Sequence, residues 1–300
     1  MERICFVVNK SSGTDRQKEF RNLVERHLDL DQYRYQWVYT EYPGHGEQIA
    51  RRAIAGGARI VVAVGGDGSI NEVARGILGT GARLGIIPKG SGNGLARALN
   101  IPRGTVAAIR LINLQQTRKI DVGFANGHLF LSNAGVGFDA LIAKRFSESK
   151  ARGFIHYARL IARSYRKYQP AEYLVEIDGK QVRDKAFFIN VANGNQLGYE
   201  FKVSPAAVPD DGILDVCLMK PVTLVSLGAL SLQSFQGISF NPSQVRQLRG
   251  RHIDISSALL EWMQIDGDAM EVVKDHMVRI RIRHKALSVI CPPAVSNAKS

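Results

Sequence analysis

Cysteine is scarce in this 300-residue chain, and the three present, Cys5, Cys217 and Cys291, are widely spaced and odd in number. They suggest neither a disulfide framework nor a metal cluster, and a reducing cytoplasm fits them best. The histidines, His27, His45, His128, His156, His252, His276 and His284, show no His-x-x-x-His spacing, so a zinc site or a cysteine or serine triad gains little support. No clean apolar run of membrane-spanning length occurs. The most apolar long stretch, Val222 to Phe240, is broken by Thr223, Ser226, Gly228, Ser231, Gln233, Ser234 and Gln236. Met1-Glu2-Arg3 leads into a short apolar strand rather than a long apolar segment, so no secretory signal is expected. Repeats and low-complexity tracts are also lacking. Acid is in short supply: 27 Asp and Glu stand against 40 Lys and Arg, a formal charge of +13. With a pI near 9.8, the surface favours an anionic partner (nucleic acid, acidic lipid or a phosphorylated ligand), through an attraction that salt weakens.

What is present centres on Val61 to Gly94. RIVVAV from Arg59 is the continuous β-branched run of a strand buried on both faces of a parallel sheet. It ends at Gly65-Gly66-Asp67-Gly68, and Ser69-Ile70-Asn71-Glu72 matches an S-x-x-E capping box opening an amphipathic helix with Ile70, Val73, Ala74 and Ile77. A glycine turn between a buried strand and a helix N-terminus lets an anion approach backbone N–H groups and the positive end of the helix dipole. A phosphate is therefore expected. The pattern repeats: Leu84 to Ile87 is a second strand, Pro88-Lys89-Gly90-Ser91-Gly92-Asn93-Gly94 a second turn, and Leu95 to Leu99 a second helical start. Two such turns could face one phosphate chain from two sides. Taken singly, each is equally an ordinary strand-to-helix turn.

The G-x-x-x-x-G-K-[ST] loop is absent, and Gly66-x-Gly68 lacks the third glycine of the dinucleotide fingerprint. GGDGSINEV at Gly65 to Val73 followed by PKGSGNGLAR at Pro88 to Arg97 resembles the diacylglycerol kinase catalytic-domain family, which includes bacterial lipid kinases and the sphingosine and ceramide kinases and has an NAD kinase-like nucleotide domain. The resemblance implies an α/β N-terminal nucleotide-binding domain, here residues 1–120, followed by a β-rich, sandwich-type C-terminal substrate domain, here residues 121–285. The last segment, 286–300, is expected to return to the first domain. Overall the class is α+β.

Along the chain, Ile4 to Val8 reads as a strand, and Asn9-Lys10-Ser11-Ser12-Gly13 resembles the family's N-P-x-S-G nucleotide turn, with Lys10 in place of the proline. Tyr33 to Thr40 alternates as a strand. Thr40 to Gly46 resembles the T-x-x-x-G-H segment whose threonine lies near the nucleotide, although Thr40 alone would more often be a simple strand end. The ATP contacts implied are Asn9, Lys10, Ser11, Ser12, Gly13, Thr40, Gly65, Gly66, Asp67, Gly68, Ser69, Ile70, Asn71, Glu72, Gly90, Ser91, Gly92 and Asn93. Asp67 is also expected to organise nucleotide and catalytic metal.

From Lys119 onward short alternating strands dominate, with hairpin signals at Asp178-Gly179 and Asp266-Gly267. Val208-Pro209-Asp210-Asp211-Gly212-Ile213-Leu214-Asp215 resembles the family's D-D-G-x-L-D-V loop, which implies Mg²⁺ held by Asp211 and the carbonyls of Val208 and Ile213; hard cations prefer such all-oxygen ligands. By itself the loop reads as a turn with solvated acids. Asp266-Gly267-Asp268 stands where the family has D-G-E with a carboxylate base, and with Asp268 shortened by one methylene either Asp266 or Asp268 could take the proton. Asn133 to Asp139 and Asn190 to Asn195 resemble further family segments, and Asp139 is a candidate for substrate binding or for a structural role. From Gly153 to Gln169 a helical wheel puts Phe154, Tyr157, Ile161, Tyr165 and Tyr168 on one side and Arg159, Arg163 and Arg166 on the other.

The resemblance thus implies a cytoplasmic, membrane-peripheral, ATP- and Mg²⁺-dependent kinase acting on a lipid hydroxyl at an anionic surface, not on nucleic acid, and it leaves room for a homodimer. Diacylglycerol is the first acceptor, with a sphingoid base or another lipid alcohol as the alternative. An NAD kinase-like enzyme shares the first turn but lacks here the expected N-E-x-D segment. A non-catalytic sensor of nucleotide or anionic lipid has no evident use for Asp67, Asp211 and Asp266.

Overall fold

The computed structural model describes residues 1–9, 17–90, 92–149, 154–194, 204, 207–221, 223, 244–273 and 275–293. Lys10 to Gly13, Ser91 and nearly all of the Val222 to Phe240 stretch lie outside them. The chain divides into two units, Met1–Ile120 with Lys285–Ser300, and Asp121–His284.

The first unit is an α/β layer structure. Its strands are β1 (Glu2–Asn9), β2 (Tyr33–Thr40), β3 (Ile60–Gly65) and β4 (Arg83–Pro88), and its helices are α1 (Gln17–His27), α2 (His45–Ala55), α3 (Asp67–Ile77), α4 (Gly94–Ala98) and α5 (Thr105–Asn113). The strands are parallel in the order β2-β1-β3-β4. Every residue of β3 is buried, which is why its sequence shows no alternation. Removing each of Val61, Val62 and Val64 from water contributes about 1.5–3 kcal/mol. Ile70, Val73, Ala74 and Ile77 form the buried stripe of α3, as the spacing predicts.

The second unit is a β-sandwich with two helices. Strand β5 (Thr117–Ala125) leads into it, followed by β6 (His128–Phe130), β7 (Asn133–Gly137), α6 (Phe138–Glu148), α7 (Phe154–Tyr165), β8 (Ala171–Ile177), β9 (Lys180–Ala186), β10 (Phe188–Ala192), β11 (Leu214–Met219), β12 (Val245–Gly250), β13 (His252–Ser256), β14 (Trp262–Ile265), β15 (Asp268–Glu271) and β16 (Met277–Ile290). One antiparallel sheet runs β12-β11-β10-β7-β14-β15, and the other contains β16, β13, β8 and β9 with β5 beside β16. Val136, Ile189, Val191, Val216, Val175, Ile253, Ile255 and Ile280 fill the space between them.

Both Asp-Gly hairpins are observed. Asp178 and Gly179 take φ of 47° and 83°, and Asp266 and Gly267 take 49° and 93°, the double positive φ of a type I′ turn. Lys285 has φ 48°, and beyond it the end of β16 pairs in parallel with β4, Ser288 beside Arg83 and Val289 beside Leu84. The apolar run from Ala286 is thus the tail of a longer strand in which Arg279, Arg281 and Arg283 alternate with Val278, Ile280 and Ile282.

Helix α6 had no signal of its own in the sequence, whereas α7 follows its wheel from Tyr157 onward, the side chain of Phe154 lying outside the described residues. Tyr157, Leu160, Ile161, Tyr165 and Tyr168 pack with Phe138, Phe187, Phe188 and Met219, while Arg159, Arg163 and Arg166 are exposed. Among the described residues no helix is long and apolar enough to cross a membrane. Cys5, Cys217 and Cys291 are buried and form no disulfide. Burial raises the thiol of Cys5 to about 11 and that of Cys217 to about 12, so both stay protonated and unreactive.

Candidate functional site

In the first unit, register places the candidate nucleotide residues along one edge. Asn9 pairs with Thr40, Val8 with Val64, and Gly65 with Pro88, so Thr40, Asn9, Gly65 and Pro88 stand at the C-terminal ends of four parallel strands. That edge is where open α/β sheets bind ligands. The two glycine turns meet there backbone to backbone: a Cβ built on Gly90 would lie 2.6 Å from the Gly66 Cα, and one on Gly66 would lie 3.3 Å from the Gly90 Cα. Any side chain at Gly90 would force the turns apart. The Lys89 N–H donates to the Gly65 carbonyl at 2.8 Å, fastening the turns together.

The helix after the first turn begins earlier than the capping box implies. Gly66 is the N-cap of α3 and no side chain caps it. The first backbone bond runs from Ile70 N–H to the Gly66 carbonyl at 3.1 Å, so the N–H groups of Asp67, Gly68 and Ser69 lie ahead of it in the positive first turn. Ser69 is inside the helix, and its hydroxyl accepts from Asn9 Nδ2 at 3.0 Å.

Glu72 corrects the capping-box expectation. Its carboxylate accepts from Gly44 N–H at 2.7 Å and Gly46 N–H at 2.8 Å. It therefore caps the start of α2, whose N-cap Gly44 has no side chain to do so, rather than its own helix. The Ile70 side chain is core. Asn93 holds its own turn: Oδ1 accepts from Gly90 N–H at 3.0 Å and Nδ2 donates to the Gly90 carbonyl at 2.6 Å, while Arg97 Nε donates to the Gly92 carbonyl at 2.8 Å. Asn71 is buried. The edge thus gathers two glycine turns packed against each other, with the N–H groups of Asp67, Gly68 and Ser69 in the positive first turn of α3 beside them.

In the second unit the two members of the Asp-Gly-Asp hairpin have different surroundings. The Asp266 carboxylate accepts three backbone N–H groups, from Leu131 at 2.9 Å, Ser132 at 2.8 Å and Asn133 at 3.1 Å, and its own N–H donates to the Asn133 carbonyl at 2.9 Å. Such a carboxylate is a bolt. Asp268, the first residue of β15, is exposed.

Behind the hairpin lies a polar cluster that joins Asn133, Asp139 and Asn190, from the two segments named in the sequence, to Gln264, which no motif signals. Gln264 Nε2 donates to Asn133 Oδ1 at 2.6 Å and reaches Asp139 Oδ2 at 3.4 Å. Asn190 Nδ2 also donates to Asn133 Oδ1, at 3.2 Å. Asp139 Oδ2 occupies the space that a Cβ on Gly135 would need. Burial raises the Asp139 carboxyl to about 7, against hydrogen bonds from Ala140 N–H, Gln264 and Asn190. Its folded value lies above its unfolded one, so its contribution to stability is full below about pH 4 and is lost as pH rises through about 7. Thermal melts of Asp139→Asn should therefore lack the part of the parent's decline that falls between pH 4 and pH 7; superimposable profiles would refute the assignment.

The acidic loop is held from below by Asp121, which is fully buried. Asp121 Oδ2 accepts from Gly212 N–H at 2.6 Å and Oδ1 lies 2.8 Å from His284 Nδ1, while Asp121 N–H donates to the Pro209 carbonyl at 2.7 Å. Asp211 Oδ1 accepts from Ile213 N–H at 3.1 Å, and Oδ2 pairs with Arg249 Nη2 at 2.6 Å. Arg249 Nε is also 3.3 Å from Asp215 Oδ1. Asp215 Oδ2 is buried without a hydrogen-bond partner, and burial, followed by the charge of Asp211, raises that carboxyl while Arg249 lowers it. Among the described residues no cluster of three or more His, Cys, Asp or Glu could hold a metal, so side chains alone do not make a site. An all-oxygen loop with a buried carboxylate oxygen lacking a partner does fit a hard cation that also uses carbonyls. Arg249 is the competitor for the same carboxylate.

Residues 3–125 match the family model of the diacylglycerol kinase catalytic domain, and residues 132–291 match that of the YegS C-terminal NAD kinase beta sandwich-like domain. The Bacillus subtilis (strain 168) protein named diacylglycerol kinase is 26% identical over 298 residues, 97% of each chain. A Pseudomonas aeruginosa protein named probable lipid kinase YegS-like is 31% identical over 253 residues, 83% of this chain and 82% of the relative. The crystal structure of a diacylglycerol kinase from Bacillus anthracis superposes with a TM-score of 0.75 at 20% identity, covering 98% of both chains. The two glycine turns, the D-D-G loop and the hairpin all fall within matched segments, and the chain belongs to the diacylglycerol kinase catalytic-domain family, with a YegS-type C-terminal domain.

Proposed function

We propose that this protein is an ATP-dependent lipid kinase that transfers the γ-phosphoryl group to a lipid hydroxyl, with diacylglycerol as acceptor. The observation that carries the reading is the contact of the Gly66 and Gly90 turns at the C-terminal edge of the parallel sheet, beside the N–H groups that open α3. ATP supplies the phosphoryl group. The N–H groups at the start of α3 bind its phosphates, Thr40 and Asn9 flank them, and Asp67 orients the accompanying Mg²⁺. Phosphoryl transfer through a loose transition state needs chiefly positioning and charge neutralisation. Asp268 takes the proton of the acceptor hydroxyl, because Asp266 is committed to three N–H groups. Purified protein incubated with labelled ATP, Mg²⁺, a panel of lipid alcohols and NAD should label diacylglycerol. Label in a sphingoid base or in NAD would redirect the reading to those kinases, and no label in any acceptor would leave a binding protein.

A second cation, Mg²⁺, is assigned to the D-D-G loop, held by Asp211 and the carbonyls of Val208 and Ile213. Added Mg²⁺ should raise the melting temperature, Asp211→Ala should abolish the rise, and Arg249→Gln should enlarge it by removing the competing guanidinium. Melting curves indifferent to Mg²⁺ in both the parent and Arg249→Gln would exclude the cation from this loop.

The substrate's place in a bilayer calls for a docking face, and α7 offers Arg159 and Arg163, with Arg166 just beyond it, to solvent while Tyr157 and Tyr165 are packed inward. Each arginine near an anionic surface contributes about 1 kcal/mol. Replacing all three by Gln should weaken binding to anionic vesicles at low salt, with little change in activity on a detergent-dispersed short-chain acceptor. Unaltered vesicle binding would exclude α7.

A further inference from the structure

Gln264 lies in β14 on the face opposite its core neighbours Met263 and Ile265, yet it is 3% exposed because α6 packs on that face. Its two ends are both used. The amide nitrogen reaches Asn133 Oδ1 at 2.6 Å and Asp139 Oδ2 at 3.4 Å. The amide oxygen accepts the N–H of Gly267 at 3.0 Å, the second residue of the hairpin turn, directly before Asp268. A single buried side chain therefore joins the turn to β7 and to the first turn of α6. Asp266 fastens the other side of the same turn to residues 131–133. A two-residue turn bound on both sides has little freedom, and a proton acceptor displaced by about 1 Å loses much of its effect.

We propose that Gln264 is a positioning residue for phosphoryl transfer, fixing the Asp266-Gly267 turn and with it Asp268 through a buried relay to Asn133 and Asp139. The inference rests on the assignment of proton acceptance to Asp268. The charged and titratable groups around the relay are Asp139 on α6, Asp266 and Asp268 on the hairpin, Tyr168 and Tyr173 near Asp139, and Lys144, whose ammonium lies 3.9 Å from the Trp262 ring centroid.

Two variants test it. Gln264→Leu keeps the volume but offers Gly267 N–H no acceptor and Asn133 no donor. Its kcat should fall roughly 10- to 100-fold with KM for ATP unchanged, because ATP is held by the other unit. Gln264→Glu is more discriminating. When neutral, the glutamic acid donates and accepts as the amide does. When ionised, it offers no donor and faces Asp139. The ratio of its kcat to the parent's, measured from pH 8 down to pH 6, should rise toward one, a trend that a purely structural defect would not produce. Parent-like kcat in Gln264→Leu, or a flat Gln264→Glu ratio, would overturn the proposal. Asp268→Asn run alongside separates the two claims: if it is inactive while Gln264→Leu is normal, only the relay fails, and if Asp268→Asn is fully active, the base assignment fails.

Discussion

Asp268→Asn should fold and melt like the parent while transferring phosphate roughly a thousandfold more slowly, in the range that loss of a general base produces. The substitution is nearly isosteric, and the side chain is exposed at the first position of β15, so little packing depends on it. Its ability to take a proton is removed. Asp266→Asn should behave in the opposite order. Its carboxylate accepts from three backbone N–H groups, and an amide can present only one oxygen to them while turning an NH₂ toward a donor. Each donor left unsatisfied costs about 1–3 kcal/mol, so the melting temperature should fall first and turnover follow it. Melting curves and single-turnover transfer from labelled ATP, measured on both variants, separate the roles. Parent-like turnover in Asp268→Asn would remove it as the base. Early melting of both, with turnover falling only in proportion, would reduce the hairpin to a structural turn.

The two residues differ in the structure for a reason that the string Asp266-Gly267-Asp268 does not contain. Asp-Gly signals a type I′ turn, and the turn is there. What the first aspartate does with its side chain depends on the backbone of residues 131–133, more than 130 positions away. The same limit explains Glu72. S-x-x-E is a local pattern and Ser69 and Glu72 satisfy it, yet the Glu72 carboxylate accepts the N–H groups of Gly44 and Gly46 instead. A pattern read along the chain cannot see a competitor that arrives from another helix.

By contrast, α/β order in the first unit was readable because β3 is buried on both faces and its sequence says so without a break. The β-rich texture of the second unit was readable from alternation and two Asp-Gly turns. Helix α6 was not, since FDALIAKRFSE has only a weak apolar stripe and one face lies under α7. Gln264 was the least legible residue of the site. A glutamine between Met263 and Ile265 looks like the solvent face of a strand, and only the helix laid across that face buries it.

Asp67→Asn is the prediction that weighs most on the nucleotide end. Asp67 is the first residue of α3, directly after the Gly66 cap. A carboxylate there is favoured by the helix dipole by about 0.3–1 kcal/mol, and the near-isosteric amide should leave the fold intact. Its cost to activity should be far larger. A carboxylate placed beside a triphosphate is repelled by it unless a cation stands between them, and the cradle of N–H donors from the first turn of α3 would bind phosphate well without Asp67. The role proposed for Asp67 is to hold Mg²⁺ against the transferring group, an electrostatic contribution of the kind whose loss lowers kcat by roughly 10²- to 10³-fold. Two measurements follow from the sign of that argument. Turnover with Mg²⁺ should collapse in Asp67→Asn, whereas ATP binding measured in the presence of a chelator should be unchanged or tighter, because the repulsion is gone. Near-parent turnover in the folded variant would remove Asp67 from the mechanism, and chelated ATP binding that weakens in step with turnover would make it a direct ligand of the nucleotide and not the holder of its cation.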